Sequence, residues 1–341
     1  MPRLLLVAIL VVLAGPAEAR RFKGDGPRTL AVGYGAVWVG HGDGTVTRVD
    51  AETMRARSTR LGSGMGGYSI TSLAAGFGSV WVAPNGTPLH RIHPQTGRVT
   101  RRIWNLRGGW SPNLVSAGAG AVWAADYQRN AIFRVNPATN RIDGRKIMKH
   151  TVRSIQAGPR AVWVQTIPGR GPITGPEGPR IVSRLDPKTL RLRRAFRVAC
   201  DASHLSVGVA VWVLDNCSGA LRRFDVRRGA FGAPVQTAPG SLGLVRGFGS
   251  LWVSNGATVR RIDPARGVVL AQIRAEGPFL AAGAGFVWVL DWGDGGWLRR
   301  IDPRTNRLAG PALKLRLSRN DGGPRLRGPP PRSVLASADG D

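Results

Sequence analysis

Residues suited to acid–base or metal chemistry are scarce in this chain. Its 341 residues include five histidines, four glutamates and two cysteines. No H-E-x-x-H, G-x-S-x-G, Walker-type phosphate loop or CxxC zinc spacing occurs, which removes the zincin, α/β-hydrolase, P-loop and zinc-ribbon classes. Long apolar runs are missing as well. The run from Leu4 to Ala14 has 11 residues, well short of the roughly 20 that a helix needs to span a bilayer. It follows Arg3 and precedes Ala17-Glu18-Ala19, so residues 1–19 read as a secretory signal peptide. We expect export of a chain that begins at Arg20, to the cell envelope or beyond. Uninterrupted helices are excluded by 47 Gly and 24 Pro, which punctuate a sequence that is still 43% hydrophobic. Many short strands are the alternative.

Negative charge is also in short supply. Asp and Glu total 20 against 49 Lys and Arg, a net charge of +29, and only five of the cations are Lys. Such a surface attracts polyanions (nucleic acid, anionic lipid or anionic envelope polymers) with an affinity that falls as salt rises. An Arg excess beside abundant Ala, Gly and Pro also follows from GC-rich coding, so composition alone leaves the purpose of the charge open. Cys200 and Cys217 are the only cysteines, and in an oxidising compartment we expect them to be bridged.

What the sequence does contain is a repeat. Trp38, Trp81, Trp123, Trp163, Trp212, Trp252 and Trp288 occupy equivalent positions with a mean spacing of about 42 residues, the length of a four-stranded propeller blade. Each copy opens on a small, apolar segment ending in Gly, such as Leu30-Ala31-Val32-Gly33, read as the innermost strand. The Gly stands five residues before the Trp in six copies and four before it in the fifth, Gly208 and Trp212, which indicates a tight turn. The Trp strand is apolar on both faces, as required of a sheet covered on both sides. A third strand of the form apolar-x-Arg-apolar-Asp follows, then an Asp-Pro-x-Thr type turn and an outer strand. The reading is all-β: a seven-bladed propeller of four-stranded antiparallel blades at about 29–61, 72–106, 115–148, 154–198, 205–237, 243–274 and 280–315. Either Arg20 to Lys23 or Leu308 to Leu315 could supply the outer strand of the last blade. Residues 316–341 lack apolar periodicity and are expected to be a disordered basic, Pro- and Gly-rich tail. A monomer is expected.

The repeated G-x-G-x-V-W-V followed by x-R-I-D-P-x-T-N-R-V resembles the YVTN and streptogramin B lyase-like propellers over roughly residues 29–315. The resemblance implies the propeller fold. For the lyases it would also imply a histidine base and a magnesium ion near the axis, but none of their catalytic residues aligns onto this sequence. Propellers serve as enzymes, binders and interaction modules, so the fold does not select among these.

The third-strand arginines, Arg48, Arg91, Arg134, Arg184, Arg223, Arg261 and Arg300, stand two residues before the Asp position and so share its face. We expect a structural role, with the stem on a Trp and the head on the Asp. Blades two and three depart from the pattern, with His93 and Asn136 in place of Asp. Loops between the second and third strands, with those joining blades, should share one face of the disc. Its candidate ligand-binding residues are Asp43, Asn85, Asp126, Asp215, Asn255, Asp291 and Trp292. Each could equally be a solvated turn residue. His150 and His204, in loops flanking blades four and five, are the candidate bases for the enzyme alternative, which would act on a small cyclic ligand with a divalent metal. The reading carried forward is a non-enzymatic exported scaffold for a small molecule, a protein or an anionic envelope polymer, with nucleic acid left open by the charge. No cofactor is indicated. A Gly- and Pro-rich insertion, Ile167 to Arg180, sets blade four apart; it reads first as a mobile excursion and alternatively as a lid or partner contact on the loop-bearing face.

Overall fold

The computed structural model describes residues 26–61, 69–85, 87–103, 112–126, 128–168, 180–198, 204–206, 211–291 and 296–315. The strands form seven antiparallel sheets, each built of four consecutive strands from the inside outward. Blade one, for example, contains Pro27–Gly33, Ala36–His41, Thr45–Asp50 and Ala56–Arg60. The inner strands touch in cyclic order, and that of blade seven, Phe279–Gly283, returns to that of blade one, so the ring is closed. The outer strand of blade seven comes from the C-terminal side, in two short pieces, Arg307–Leu308 and Leu313–Lys314, which both pair with Trp297–Asp302. No helix among the described residues is long and apolar enough to cross a membrane.

There is no single central core. Seven apolar wedges lie between neighbouring blades, because the Val-Trp-Val strand alternates its faces. Trp38 packs against Ile70, Val80 and Val82 of blade two. Val37 and Val39 point the other way, toward Trp288, Leu290 and Leu298 of blade seven. The same division recurs at every junction, and all seven repeat tryptophans are at most 5% exposed.

The turn between the inner and second strands of blade one has positive φ at both central residues, 57° at Tyr34 and 68° at Gly35, the backbone whose twist suits a two-residue hairpin. The repeated Gly before that turn is needed for a different reason. A Cβ on Gly33 would lie 2.5 Å from the Cβ of Ala75, and one on Gly247 would lie 2.4 Å from that of Ala282. Inner strands therefore approach too closely at the axis for any side chain there.

The third-strand arginines depart from the expected Arg–Asp pairing. Arg48 and Asp50 do approach at 3.6 Å, but the heads mainly cross to the next blade. Arg48 donates to the Pro94 carbonyl, Arg91 to Pro137, Arg134 to Pro187, Arg261 to Pro303 and Arg300 to Ala51. Each acceptor is the residue after the Asp position in the neighbour's outer turn. The guanidinium groups also lie over aromatic rings, that of Arg91 5.1 Å from the Trp81 centroid and that of Arg261 5.2 Å from the Trp252 centroid. The aspartates are drawn away by the amides of their own turns: Asp186 Oδ1 accepts from the Lys188 and Thr189 backbone N–H groups at 3.0 and 2.9 Å. Those hydrogen bonds, that from Thr189 first, hold the Asp186 carboxyl down at about 2.

Candidate functional site

The second-to-third-strand hairpins end on one face of the disc, and most of the candidate residues there are engaged with their own backbone. Asp43 Oδ1 accepts the Thr45 N–H at 2.9 Å. Asp126, fully buried, accepts the Gln128 and Arg129 N–H groups at 2.9 and 3.1 Å and pairs with the Arg129 guanidinium at 3.3 Å. Asp215 takes the N–H groups of Cys217 and Ser218, and Asn255 takes those of Ala257 and Thr258. The side chains suggested for ligand contact are thus the ones that fix the hairpins. Asn85 is exposed, with its backbone N–H bound to the Ser69 carbonyl at 2.8 Å. Asp291 is 6% exposed, at the end of the second strand of blade seven. Trp292 lies outside the described residues.

His150 is half-buried in the link into blade four. His204 opens the inner strand of blade five, His204–Ser206, and its side chain is outside the described set. So are Cys200 and most of the blade-four insertion. Among the described residues no cysteine is free, and no group of three or more His, Cys, Asp or Glu is placed to hold a metal.

Two other histidines have well-defined environments. His41 is buried, its Nε2 2.9 Å from Thr47 Oγ1, and burial holds it below the ordinary histidine value against the opposing pull of Asp43. His90, also buried, gives its Nδ1 proton to the Pro88 carbonyl at 2.8 Å and accepts from Arg102 Nε at 3.3 Å. Burial dominates its lowered value too, with the Arg102 charge acting in the same direction and the Pro88 bond opposing.

The opposite face and the rim are the basic surfaces. The outer strands of blades one to four expose Arg57, Arg60, Arg101, Arg102, Arg145, Arg193, Arg194 and Arg197. Between blades two and three, where the inner and outer turns emerge, lies an open cleft of about 380 Å³ lined by Gly78, Ser79, Arg91, His93, Thr100, Arg101 and Asn140. The equivalent cleft between blades one and two is smaller, about 70 Å³, and contains Arg48 and Arg57. Sequence reasoning noted the substitutions at 93 and 136 without reading a cavity from them.

Comparison with known proteins supports the architecture. No family model and no curated protein sequence matches the chain. Among solved structures it is similar to the WD40 domain of Neurospora crassa Pan2, with a TM-score of 0.64 and 13% identity over 78% of this chain and 86% of that one. It is also similar to the computationally designed Ika8 protein, with a TM-score of 0.57 and 12% identity over 79% and 94% of the two chains. BamB from Moraxella catarrhalis gives 0.52 and 15% over 77% and 78%. At these identities the likeness is one of fold, and the chain is a seven-bladed β-propeller similar to WD40 and BamB structures.

Proposed function

We propose that this chain is an exported, non-enzymatic propeller that holds an anionic partner against its basic rim. The observation that carries the reading is the set of exposed arginines on the outer strands of blades one to four, mounted on a ring whose junctions are tied by arginine-to-carbonyl hydrogen bonds. Rigid presentation lowers the ordering cost of binding, and guanidinium groups give charge-assisted, bidentate bonds to carboxylate, phosphate or sulfate. A protein, an envelope polymer or a small molecule carrying such groups would satisfy this surface. Nucleic acid shares the charge but would need aromatic or groove contacts to be selected over other polyanions.

The test is thermal unfolding of residues 20–341 with polyanions, small cyclic ligands and magnesium at low and high salt. A ligand at about a hundred times its Kd stabilises the fold by roughly 2.7 kcal/mol. We expect shifts with polyanions that vanish at high salt. A salt-resistant shift with magnesium plus a small cyclic ligand, and none with polyanions, would replace this reading with the enzymatic one.

A further inference from the structure

We propose that the cleft between blades two and three is a binding site for a phosphate-class oxyanion, a proposal that rests on the anionic-partner reading and gives it an address. Every blade other than two and three carries Asp where the third strand runs into the outer turn: Asp50, Asp186, Asp225, Asp263 and Asp302. Every other blade junction therefore has at least one such carboxylate, from one blade or the other. The junction of blades two and three has neither, because His93 and Asn136 fill both places. Two arginines of blade two stand side by side at this acid-free junction: Arg91 in its third strand and Arg101 in its outer strand are direct cross-strand partners. Like charges so placed repel. In blade one the corresponding arginine, Arg48, has Asp50 at 3.6 Å, and in blade three Arg134 has Asp143 at 2.7 Å. The Arg101 side chain has no hydrogen bond or ion pair among the described residues.

The groups around the cleft present donors. Arg91 is locked by Ser79 Oγ at its Nε (2.7 Å) and by the Pro137 carbonyl and Asn140 Oδ1 at one terminal nitrogen (2.9 and 2.8 Å), which leaves its other terminal nitrogen to donate. His93 copies the turn role of Asp: its Nδ1 accepts the Gln95 and Thr96 N–H groups, each at 3.4 Å. The ring proton is thereby assigned to Nε2, a donor where other blades hold an acceptor. An oxyanion placed between Arg91, Arg101 and His93 would separate the two like charges and receive charge-assisted bonds from both. The volume of about 380 Å³ exceeds what one phosphate fills, so the anion can be the charged group of a larger molecule.

The experiment is calorimetric titration of the full exported chain at low salt with inorganic phosphate and, separately, with a polyphosphate chain. His93→Asp restores the residue that five other blades carry, so the turn keeps its caps while the cleft gains a carboxylate. Arg101→Gln removes the unpartnered charge. Arg274→Gln removes an exposed outer-strand charge of blade six, away from the arginines of blades one to four, and is matched to both in net charge. We expect inorganic phosphate to bind the parent chain, His93→Asp and Arg101→Gln each to weaken it at least tenfold, and Arg274→Gln to change it less than twofold, with unchanged circular dichroism throughout. Equal weakening by Arg274→Gln and Arg101→Gln would mean that only the general field acts, and overturns the site. Polyphosphate binding without inorganic phosphate binding overturns the site and leaves the rim reading standing. Failure of both ligands at low salt overturns both. If phosphate binds as expected, polyphosphate affinity that also drops with His93→Asp assigns the site to polymer, and polyphosphate affinity untouched by it assigns the site to the free ion.

Discussion

Five blade junctions are fastened in one way and the two that flank blade five in another. From blade six through seven, one, two and three to four, a third-strand arginine reaches the neighbour's turn carbonyl. Arg184 and Arg223 make no such bond among the described residues. At the junction of blades four and five an aromatic cluster stands instead: Phe196 stacks on Phe224 with ring centroids 3.7 Å apart, and Phe231 meets both edge-on. At the junction of five and six the forward bond is missing among the described residues and a backward one is present, from Arg260 of blade six to the Thr237 carbonyl of blade five; the junction of six and seven has its counterpart, Arg299 to the Glu276 carbonyl, beside the forward bond. The tryptophans follow the same division. Trp81, Trp123, Trp252 and Trp288 donate their indole N–H to the repeated Gly carbonyl at 3.0 to 3.1 Å, and Trp38 does so at 3.4 Å. Trp163 and Trp212 have no such bond among the described residues. The apolar wedge is therefore the constant of the repeat, and the polar fastening is a variable that aromatic area can replace.

The wedge should dominate energetically. Trp252→Ala and Trp81→Ala are expected to cost about 3–5 kcal/mol, in line with large-to-small core truncations. Trp163→Ala, which breaks no indole hydrogen bond, should cost about 1 kcal/mol less. Urea unfolding of the three variants checks this, and equal losses would mean that the indole bonds contribute nothing. The proposed Cys200–Cys217 bridge lies in the irregular sector and closes a loop of about 16 residues, so reducing it should cost roughly 3 kcal/mol on the chain-entropy model. Hydrogen exchange should show the loss concentrated in blade five. Two free thiols by non-reducing mass spectrometry of exported protein would end that proposal.

Arginine substitutions sharpen the comparison. Arg261 is held by Ser250 Oγ, the Pro303 carbonyl and Asn306 Oδ1 while lying over Trp252. Arg261→Ala should cost about 2 kcal/mol, since it leaves a partly buried carbonyl without its charged donor. Arg223→Ala should cost under about 0.5 kcal/mol. Similar losses from the two, measured by chemical unfolding, would mean that the crossing bonds are not what distinguishes the sectors.

The blades were legible because a buried sheet must be apolar on both faces, and the Trp spacing makes that requirement periodic. The arginine destination was not. A spacing of two places Arg and Asp on one face, but it does not reveal that the turn amides of residues such as Lys188 and Thr189 capture the carboxylate first. The blade-two cleft was half legible. The missing acids at 93 and 136 stand in the sequence, yet Arg101 is brought opposite Arg91 by a register shift between Arg91 and Ile92. Regular counting back from the turn would have put Thr100 there. Comparable shifts follow Arg134, Arg184 and Arg261, and an extra residue of this kind leaves no composition signal. The hairpin residues Asp126, Asp215 and Asn255 were found from their type, but turn and ligand chemistry use the same residues, so sequence could not separate the two.

The smallest expected effect concerns pH, and it separates two groups of titrating residues. His41 and His90, in blades one and two, are held neutral chiefly by burial. Their folded values lie below the unfolded value of about 6.5, so below that pH the unfolded chain binds more protons and stability falls. The turn aspartates act lower on the scale. Asp186 at about 2, and Asp50, Asp225, Asp263 and Asp302 with lowered values, are capped mainly by hydrogen bonds from their own turns. Their contribution is present above roughly pH 4 and is lost as pH falls toward 2. Urea midpoints measured from pH 7.5 to 2 should show two separate declines. A His41→Gln, His90→Gln chain should lose the decline that begins below the unfolded histidine value of about 6.5 and keep the one below about 4. If its upper decline matches that of the parent chain, the two buried histidines do not set it.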